Sequence, residues 1–206
     1  MIAKGRPAVS TAIRHSFRLH PYLPCHNTAA RRGVPAAVDR VRGMAASTPA
    51  LALLTARKVA HTVHTYEHDS RTQSFGSEAA EILGERLGVR PEQVFKTLVV
   101  ERADRSLAVA MVPVTGLLSL KAAAAALNTR KVAMADRAAA ERSSGYVFGG
   151  ISPLGQRRSL PTVIDDSALE VDRVLCSGGR RGLEIELAPA DLIRLTRAVT
   201  APIAAH

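Results

Sequence analysis

The sequence predicts one mixed α/β domain with a curved or closed, barrel-like sheet and surrounding helices. Strand-like runs come in pairs joined by short polar turns, as at Phe95 to Glu101 and Leu107 to Val114. Capped helices lie between these runs, without the regular alternation of strand and helix that a doubly wound sheet requires. With 22% charged and 47% hydrophobic residues among 206, the chain can bury a core.

The first 46 residues differ from the remainder in charge and pattern. Eight basic residues and one acid give this leader +7 of the whole chain's +10, and it has no sustained helix or strand period. We therefore expect a disordered basic leader at 1–46 and a folded domain at 47–206. Such a leader fits a transit peptide or a tail that adds phosphate affinity. We favour an over-extended reading frame, since Met44 resembles a natural start.

Capping residues and periodicity predict the elements of the domain in order. Ser47 or Thr48 caps a helix to about Lys58, and a strand follows at His61 to Glu67. Ser77 opens a second helix, which Gly88 ends before the hairpin. Beyond the hairpin we predict a helix from Ser119 to about Leu127, a strand at Lys131 to Met134, a helix from Asp136 to about Arg142, strands at Thr162 to Ile164, Val171 to Cys176 and Leu183 to Leu187, and a last helix from Pro189 through Leu195.

Composition excludes several classes of protein. The two cysteines, Cys25 and Cys176, lie far apart and form no disulfide framework, so we expect a reducing, cytoplasmic compartment. No run of 18 or more apolar residues predicts a membrane span. Only 3% of residues are aromatic and none is Trp, so we expect contacts with nucleic acid to use charge and backbone rather than stacking.

Two glycine-rich stretches are candidate ligand loops. Ser143 to Gly155 contains four glycines and a proline. Its backbone N–H groups could lie open to a phosphate, a carboxylate or an ester oxyanion, although a tight structural turn explains the spacing equally well. For Ser177 to Gly182 we favour a plain hairpin turn over a loop whose Arg180 and Arg181 meet phosphates.

Other candidates are single side chains. Lys96 lies beside an apolar strand, where a lysine is costly unless it has a partner or begins the strand at a solvated end. We expect Cys176 to be buried and unreactive. His61 and His64 point to opposite faces of an extended strand, so with His68 they do not predict a metal site. No nucleophile elbow or triad order is present.

Seven segments together carry one resemblance. They are Thr48-Pro49-Ala50, His64-Thr65-Tyr66-Glu67-His68-Asp69, Phe75-Gly76, Phe95-Lys96-Thr97-Leu98, Met134-Ala135-Asp136, the loop from Ser144-Gly145-Tyr146 to Gly155-Gln156, and Ser177-Gly178-Gly179-Arg180-Arg181-Gly182-Leu183. In this order, over about residues 48 to 197, the chain resembles the YbaK/EbsC family of aminoacyl-tRNA deacylases, and in particular its Cys-tRNA(Pro) deacylase branch.

The resemblance implies an editing enzyme that removes cysteine from mischarged Cys-tRNA(Pro), with Cys-tRNA(Cys) as a second substrate. It implies a fold related to the insertion domain of bacterial prolyl-tRNA synthetases, with the acceptor end of mischarged tRNA and prolyl-tRNA synthetase as partners and no cofactor or metal. It also implies that the substrate's own thiol attacks the ester and leaves as a cyclic thiolactone. Confinement of that thiol would explain the missing protein nucleophile.

The resemblance also implies roles for eight residues. Lys96 matches the family's lysine, which would orient the terminal adenosine or the ester rather than attack it. Tyr66 and Phe75 would shape the cysteine pocket. The other substrate contacts would be Thr97, Gly149, Pro153, Ser177 and Glu184. The family often has Asp where this chain has Glu184, which is one methylene longer.

Two alternatives remain open. An alanyl-tRNA(Pro) deacylase that uses water would cleave a substrate without a thiol. A regulatory aminoacyl-tRNA or nucleotide-binding module would bind without turnover, and Lys96→Ala would leave that binding unaltered.

Overall fold

A computed structural model describes residues 47–69, 71 and 75–205, so the expectations for the leader lie outside the described residues. The helices are α1 (Pro49–Ala56), α2 (Phe75–Leu87), α3 (Leu120–Ala126), α4 (Arg137–Ser144) and α5 (Pro189–Thr196). The strands are β1 (His61–Thr65), β2 (Val94–Arg102), β3 (Leu107–Pro113), β4 (Leu117–Leu118), β5 (Val132–Met134), β6 (Thr162–Asp165), β7 (Val174–Arg180), β8 (Leu183–Leu187), β9 (Val199–Ala201) and β10 (Ala204–Ala205). In the part of the chain covered by these ranges, no helix is long and apolar enough to span a membrane.

Side-chain caps begin three of the helices. The hydroxyls of Thr48 and Ser119 and the carboxylate of Asp136 each accept a hydrogen bond from a first-turn N–H. Gly88 follows α2 with φ +69° and donates its N–H to the Gly84 carbonyl, so it ends the helix as predicted. The helix itself begins at Phe75, two residues before the predicted Ser77.

The main sheet is mixed, which confirms the predicted fold class. Its strand order is β1-β8-β7-β2-β3-β6-β9, and β5 also pairs with β2. The β2·β7, β3·β6 and β6·β9 pairs are parallel, and the other pairs in this sheet are antiparallel. Among the described residues β1 and β9 end the order without pairing with each other, so the sheet is open rather than closed.

The central strand β2 has one edge that is only partly paired. Its β3 edge is paired from Phe95 to Glu101. On the opposite edge, β7 pairs with Val94 and Phe95, and β5 pairs from Val100 to Arg102. Between these two strands, residues 96–98 have no strand beside them among the described residues. This gap positions the candidate site.

Apolar side chains fill both faces of the sheet. One cluster, which includes Phe95, Met111 and Leu187, packs against α1 and α5. A second cluster, which includes Val100 and Val112, lies under α3. Smaller clusters lie under α2 and α4. Helices therefore cover both faces of the sheet.

Two sequence predictions near β7 are wrong. The strand begins at Val174 rather than Val171, because residues 166–170 form a short 3-10 helix capped by the Asp165 carboxylate. It also continues through Ser177 to Arg180, which the sequence predicts as part of a hairpin turn. A register shift between Ser177 and Arg180 accommodates the glycines within the strand pair. Only residues 181 and 182 form the turn.

Three short strands were not predicted at all. They are β4, β9 and β10, of two or three residues each. Strands this short show no period in the sequence, and they form because β9 joins the edge of β6 and β10 pairs with β4.

Candidate active site

A pocket of about 360 Å³ lies at the gap in the edge of β2. Its walls come from β2 itself, the start of α2, the end of β5, α4, the loop after α4, and the paired strands β7 and β8. The lining residues are Phe75, Gly76, Ser77, Val94, Phe95, Lys96, Thr97, Leu98, Val99, Val114, Met134, Ala135, Arg137, Ala140, Phe148, Gly149, Ile151, Ser177 and Glu184. Six of the eight residues predicted for the site are therefore brought together.

Lys96 is the lysine of the pocket. It is the third residue of β2, half-buried, and its Nζ donates to the Gly116 carbonyl at 2.6 Å. Burial lowers the pKa of this ammonium below its usual value. An ammonium has three donor hydrogens and Gly116 takes one, so the group can still donate to a ligand oxygen.

Glu184 supplies a buried carboxyl to the pocket lining. It lies on β8 between His64 of β1 and Ser177 of β7, with 8% of its surface exposed. Burial raises the pKa of this carboxyl to about 8. Below that pH its neutral form dominates, so the carboxyl can donate as well as accept a hydrogen bond.

Thr97 presents unused hydrogen-bonding groups. Its Oγ1 is buried and has no partner among the described residues. The Val94 carbonyl accepts from Val114 on the β3 side, whereas the Val99 carbonyl accepts from Ala135 on the other side. Because backbone groups alternate along a strand, the N–H and carbonyl of Thr97 point to the unpaired edge. Such groups favour a polar ligand.

The loop after α4 reaches the pocket through Gly149. This glycine has φ +84°, and an added Cβ would lie 2.7 Å from the ring of Phe75, so no larger residue fits. The predicted set of open N–H groups is only partly present. Those of Tyr146, Phe148, Gly150 and Leu154 bond within the loop or to α4, whereas those of Gly149 and Ile151 bond to no described residue.

Two predicted site residues lie outside the pocket lining. Tyr66 packs with the cluster under α2, and its backbone N–H donates to the Gly182 carbonyl. The pKa of its phenol is raised, mainly by burial and then by the nearby Glu184. Tyr66 thus lies near the carboxyl without lining the pocket. Pro153 is buried in the loop and does not line the pocket.

The remaining candidate side chains have local roles. Cys176 is fully buried, and burial raises the pKa of its thiol. His64 bonds Glu186 and His68 bonds Glu78, each at 2.7 Å, while His61 bonds the Val59 carbonyl. Their partners are separate, and no metal-binding group was found within the described ranges.

Sequence reasoning missed the outer wall of the pocket. Arg137 and Phe148 are both part of it, with the Arg137 guanidinium 5.2 Å from the centre of the Phe148 ring. Arg181, which we expected to extend into solvent, is exposed but donates to the Phe148 carbonyl and lies over the Phe75 ring. The chain has few aromatic residues, and the positions of Phe75 and Phe148 in the sequence do not indicate that the two rings pack together at the pocket.

A comparison with known families identifies the kind of domain to which this pocket belongs. Residues 76–195, more than half of the chain, match the aminoacyl-tRNA editing domain. The chain belongs to the aminoacyl-tRNA editing family. That match contains every pocket residue except Phe75.

A curated relative is consistent with this membership. EbsC of Enterococcus faecalis, whose name describes a candidate Cys-tRNA(Pro)/Cys-tRNA(Cys) deacylase, is 36% identical over 125 residues. The aligned part covers 61% of this chain and 76% of EbsC.

Two solved structures share the fold. One, described as a candidate trans-editing enzyme for prolyl-tRNA synthetase, is 22% identical with a TM-score of 0.66, covering 77% of this chain and 96% of the other. The hypothetical protein APE2540 is 23% identical with a TM-score of 0.67, covering 77% of this chain and all of the other. At this identity the likeness concerns the fold.

Proposed function

We propose that this protein is a trans-editing deacylase that removes cysteine from mischarged Cys-tRNA(Pro), with Cys-tRNA(Cys) as a second substrate. The observation that carries the proposal is a pocket, in a domain of the editing family, that combines Lys96, the buried Glu184 and unused polar groups at Thr97. The name of the relative EbsC supports the choice of substrate.

The proposed reaction uses the thiol of the substrate as nucleophile. Its sulfur bonds to the ester carbonyl carbon, the bond from that carbon to the ribose oxygen breaks, and the ribose oxygen takes the thiol proton. The products are cysteine thiolactone and tRNA with a free terminal hydroxyl, and no water is consumed. The described residues that line the pocket include no cysteine, and no histidine that could activate Ser77, Thr97 or Ser177, which favours a nucleophile supplied by the substrate.

Lys96 and Glu184 have complementary roles in this proposal. The Lys96 ammonium, steadied by the Gly116 carbonyl, donates to the ester carbonyl oxygen or the leaving ribose oxygen, where negative charge develops. Glu184 ionises when the positively charged α-amino group of the aminoacyl ester enters, because an opposite charge lowers a carboxyl pKa. Its extra methylene is accommodated because the site is a pocket rather than a closed core position.

Of the other proposed site residues, some contact the substrate and some position the residues that do. Thr97 and Ser177 offer hydroxyls to the aminoacyl group, and Phe75 and Gly149, packed together, limit the size of the side chain that enters. Tyr66 supports Glu184, and Pro153 holds the loop that carries Gly149. The last two are therefore positioning residues in this proposal.

The proposed partners are the acceptor end of mischarged tRNA and prolyl-tRNA synthetase, in the cytoplasm. One solved structure of the same fold is described as a trans-editing candidate for that synthetase. In residues 47–206 twenty basic and seventeen acidic side chains leave a charge of +3. This is modest for tRNA affinity by charge alone, so recruitment by the synthetase would raise the local tRNA concentration.

Single-turnover deacylation tests the role of Lys96. With Cys-tRNA(Pro), we expect Lys96→Ala to slow the rate at saturating enzyme by about 100-fold or more, the usual loss for one donor to a developing oxyanion. Lys121→Ala, which removes an exposed lysine of α3, is the matched control and should react like the wild type. Equal rates for the Lys96 and Lys121 variants would contradict the proposed site.

A further inference from the structure

Three side chains that line the pocket are also exposed at its mouth. Phe148 is 44% exposed, Met134 is 53% exposed, and 62% of the Arg137 side chain is exposed. We refer to Phe148, Arg137 and Met134 as the mouth platform. Large apolar side chains in contact with solvent beside a pocket are typical of a binding surface.

Hydrogen bonds hold Phe148 in position despite its exposure. Its N–H donates to the Glu141 carboxylate at 2.8 Å, and its carbonyl accepts from Nη2 and Nε of Arg181 at 2.9 and 3.1 Å. Its ring meets Phe75 edge to face, with 6.1 Å between the ring centres. Both backbone groups and part of the ring are already held in place. A ligand that stacks on the ring therefore costs little conformational entropy of this residue.

The platform pairs an aromatic ring with a guanidinium group. The Arg137 guanidinium lies over the Phe148 ring at 5.2 Å and makes a 3.3 Å contact with Glu141. Arg181 brings a second guanidinium to the same place, 4.9 Å from the centre of the Phe75 ring. Aromatic rings and guanidinium planes are the surfaces on which proteins stack unpaired bases, and the adjacent positive charges suit a phosphate.

We propose that the mouth platform binds the unpaired terminal adenine of the tRNA by stacking. The inference rests on the proposed function, because an aminoacyl ester inside the pocket requires the nucleoside that carries it to lie at the mouth. Phe148 and Met134 both line the pocket and contact solvent, so a base that stays outside while the ester enters would meet the platform. In this proposal the contact with nucleic acid at the mouth uses stacking in addition to charge and backbone.

A binding cycle on the full chain tests the proposal without turnover. The probes are 5′-fluorescein-labelled, uncharged acceptor-stem minihelices of tRNA(Pro) that end in CCA or in CC, and dissociation constants come from fluorescence anisotropy. For the wild type, loss of the terminal adenosine should weaken binding about 10-fold. For Phe148→Leu, which keeps apolar bulk without a ring, binding of the CCA probe should already be weaker by that factor.

The cycle has matched controls and a defined contrary result. In Phe148→Leu the further loss of the adenosine should change binding by less than about 2-fold, since the stacking partner is gone. Phe148→Tyr, which keeps the ring, and Val147→Ala, the exposed neighbour, should behave like the wild type. If loss of the adenosine costs the same in Phe148→Leu and wild type, the platform serves another ligand, such as a protein surface, and the proposal is overturned.

The same variants separate this inference from the proposed function. If Cys-tRNA(Pro) is cleaved but Phe148 and the adenosine show no coupling, the deacylase proposal stands and the adenine-binding role of the platform is rejected. If coupling is found without cleavage, the adenine-binding role stands and the deacylase proposal is rejected.

Discussion

At the scale of single residues, the pocket holds two ionisable groups whose charged forms are both disfavoured by burial. Burial raises the pKa of the Glu184 carboxyl to about 8 and lowers the pKa of the Lys96 ammonium. The described side chains form no ion pair between them, and Lys96 instead donates to a carbonyl. Below about pH 8 the neutral Glu184 therefore does not neutralise the Lys96 ammonium, and a charged substrate can shift the protonation of both groups.

Glu184 should make stability depend on pH. Between the ordinary carboxyl pKa near 4.5 and the folded value of about 8, the folded state keeps a proton that the unfolded state has lost. The free energy of unfolding therefore falls as pH rises through this window, by on the order of 5 kcal/mol for a shift of this size. Glu184→Gln cannot ionise, so its urea-unfolding free energy should change less between pH 5 and pH 8.

The test compares the pH dependence of the unfolding free energy in the wild type and in Glu184→Gln. Glu184→Gln should gain most relative to the wild type near pH 8 and least near pH 5. Parallel stability curves for the two proteins over that range would show that the carboxyl is not held neutral by burial.

At the scale of elements, the site results from strands that stop short. β7 pairs only with the start of β2 and β5 only with its end, and the segment of β2 between them faces the pocket. The loop after α4 then packs against the first residue of α2, with Gly149 against Phe75. Substrate groups can thus approach strand backbone that a regular sheet would have paired.

This contact makes Gly149→Ala a test of loop packing. A Cβ there would meet the Phe75 ring at 2.7 Å and would also strain a backbone with φ +84°. We expect a loss of about 2–3 kcal/mol in unfolding free energy together with slower deacylation. Gly88→Ala has a similar φ of +69° and nothing within 4 Å, so it should cost only about 1 kcal/mol and leave deacylation unchanged.

Urea unfolding and single-turnover rates on the two glycine variants provide the comparison. If Gly149→Ala and Gly88→Ala lose the same stability and the same activity, the contact between Gly149 and Phe75 adds nothing to the cost of backbone strain, and the prediction is wrong.

Sequence patterns predicted the elements whose ends carry caps. Thr48, Ser119 and Asp136 cap helices as expected, and the β2–β3 hairpin was predicted to within a residue or two. The patterns could not predict that β7 runs through its glycines, because a bulge depends on the partner strand.

The residues of the site could be predicted only in part from the sequence. Family strings led to Lys96, Thr97 and Glu184, which the structure brings to one pocket. Arg137 and Phe148 gave no local signal, since their meeting depends on how α4 and its loop fold onto β2. Tyr66 was expected to shape the pocket, but it packs in the cluster under α2 and does not line the pocket, a difference that depends on tertiary packing.

At the scale of the whole molecule, Asp165 joins the end of the chain to the sheet. Its carboxylate accepts the N–H groups of Ile203 and Ala204 at 2.8 and 2.6 Å and the hydroxyl of Ser167. Burial alone would raise the pKa of this carboxyl, but these hydrogen bonds outweigh burial and hold it below its usual value. One buried side chain thus fixes β10, which in turn pairs with β4 close to Gly116.

Asp165→Asn should therefore loosen the end of the chain. An amide accepts at one atom only and carries no charge, so we expect a loss of about 2–3 kcal/mol in unfolding free energy at neutral pH. Because the folded pKa is depressed, the wild type should lose this advantage as pH falls below about 4. Asp166→Asn, an exposed neighbour, is the control and should change little. Equal stability of the two variants at neutral pH would contradict this role.

The measurement that tests the proposed chemistry most directly is single-turnover deacylation by the full chain of tRNA(Pro) charged with cysteine, serine or alanine. Serine replaces only the sulfur by oxygen, so it keeps nearly the size and shape of the substrate while removing the thiol. We expect rapid release of cysteine, with serine and alanine at least about 100-fold slower, because a confined thiol gains a large effective molarity. If alanine is released as fast as cysteine, water is the nucleophile and thiol assistance is contradicted. If none of the three substrates is cleaved, the deacylase proposal is rejected in favour of a module that only binds.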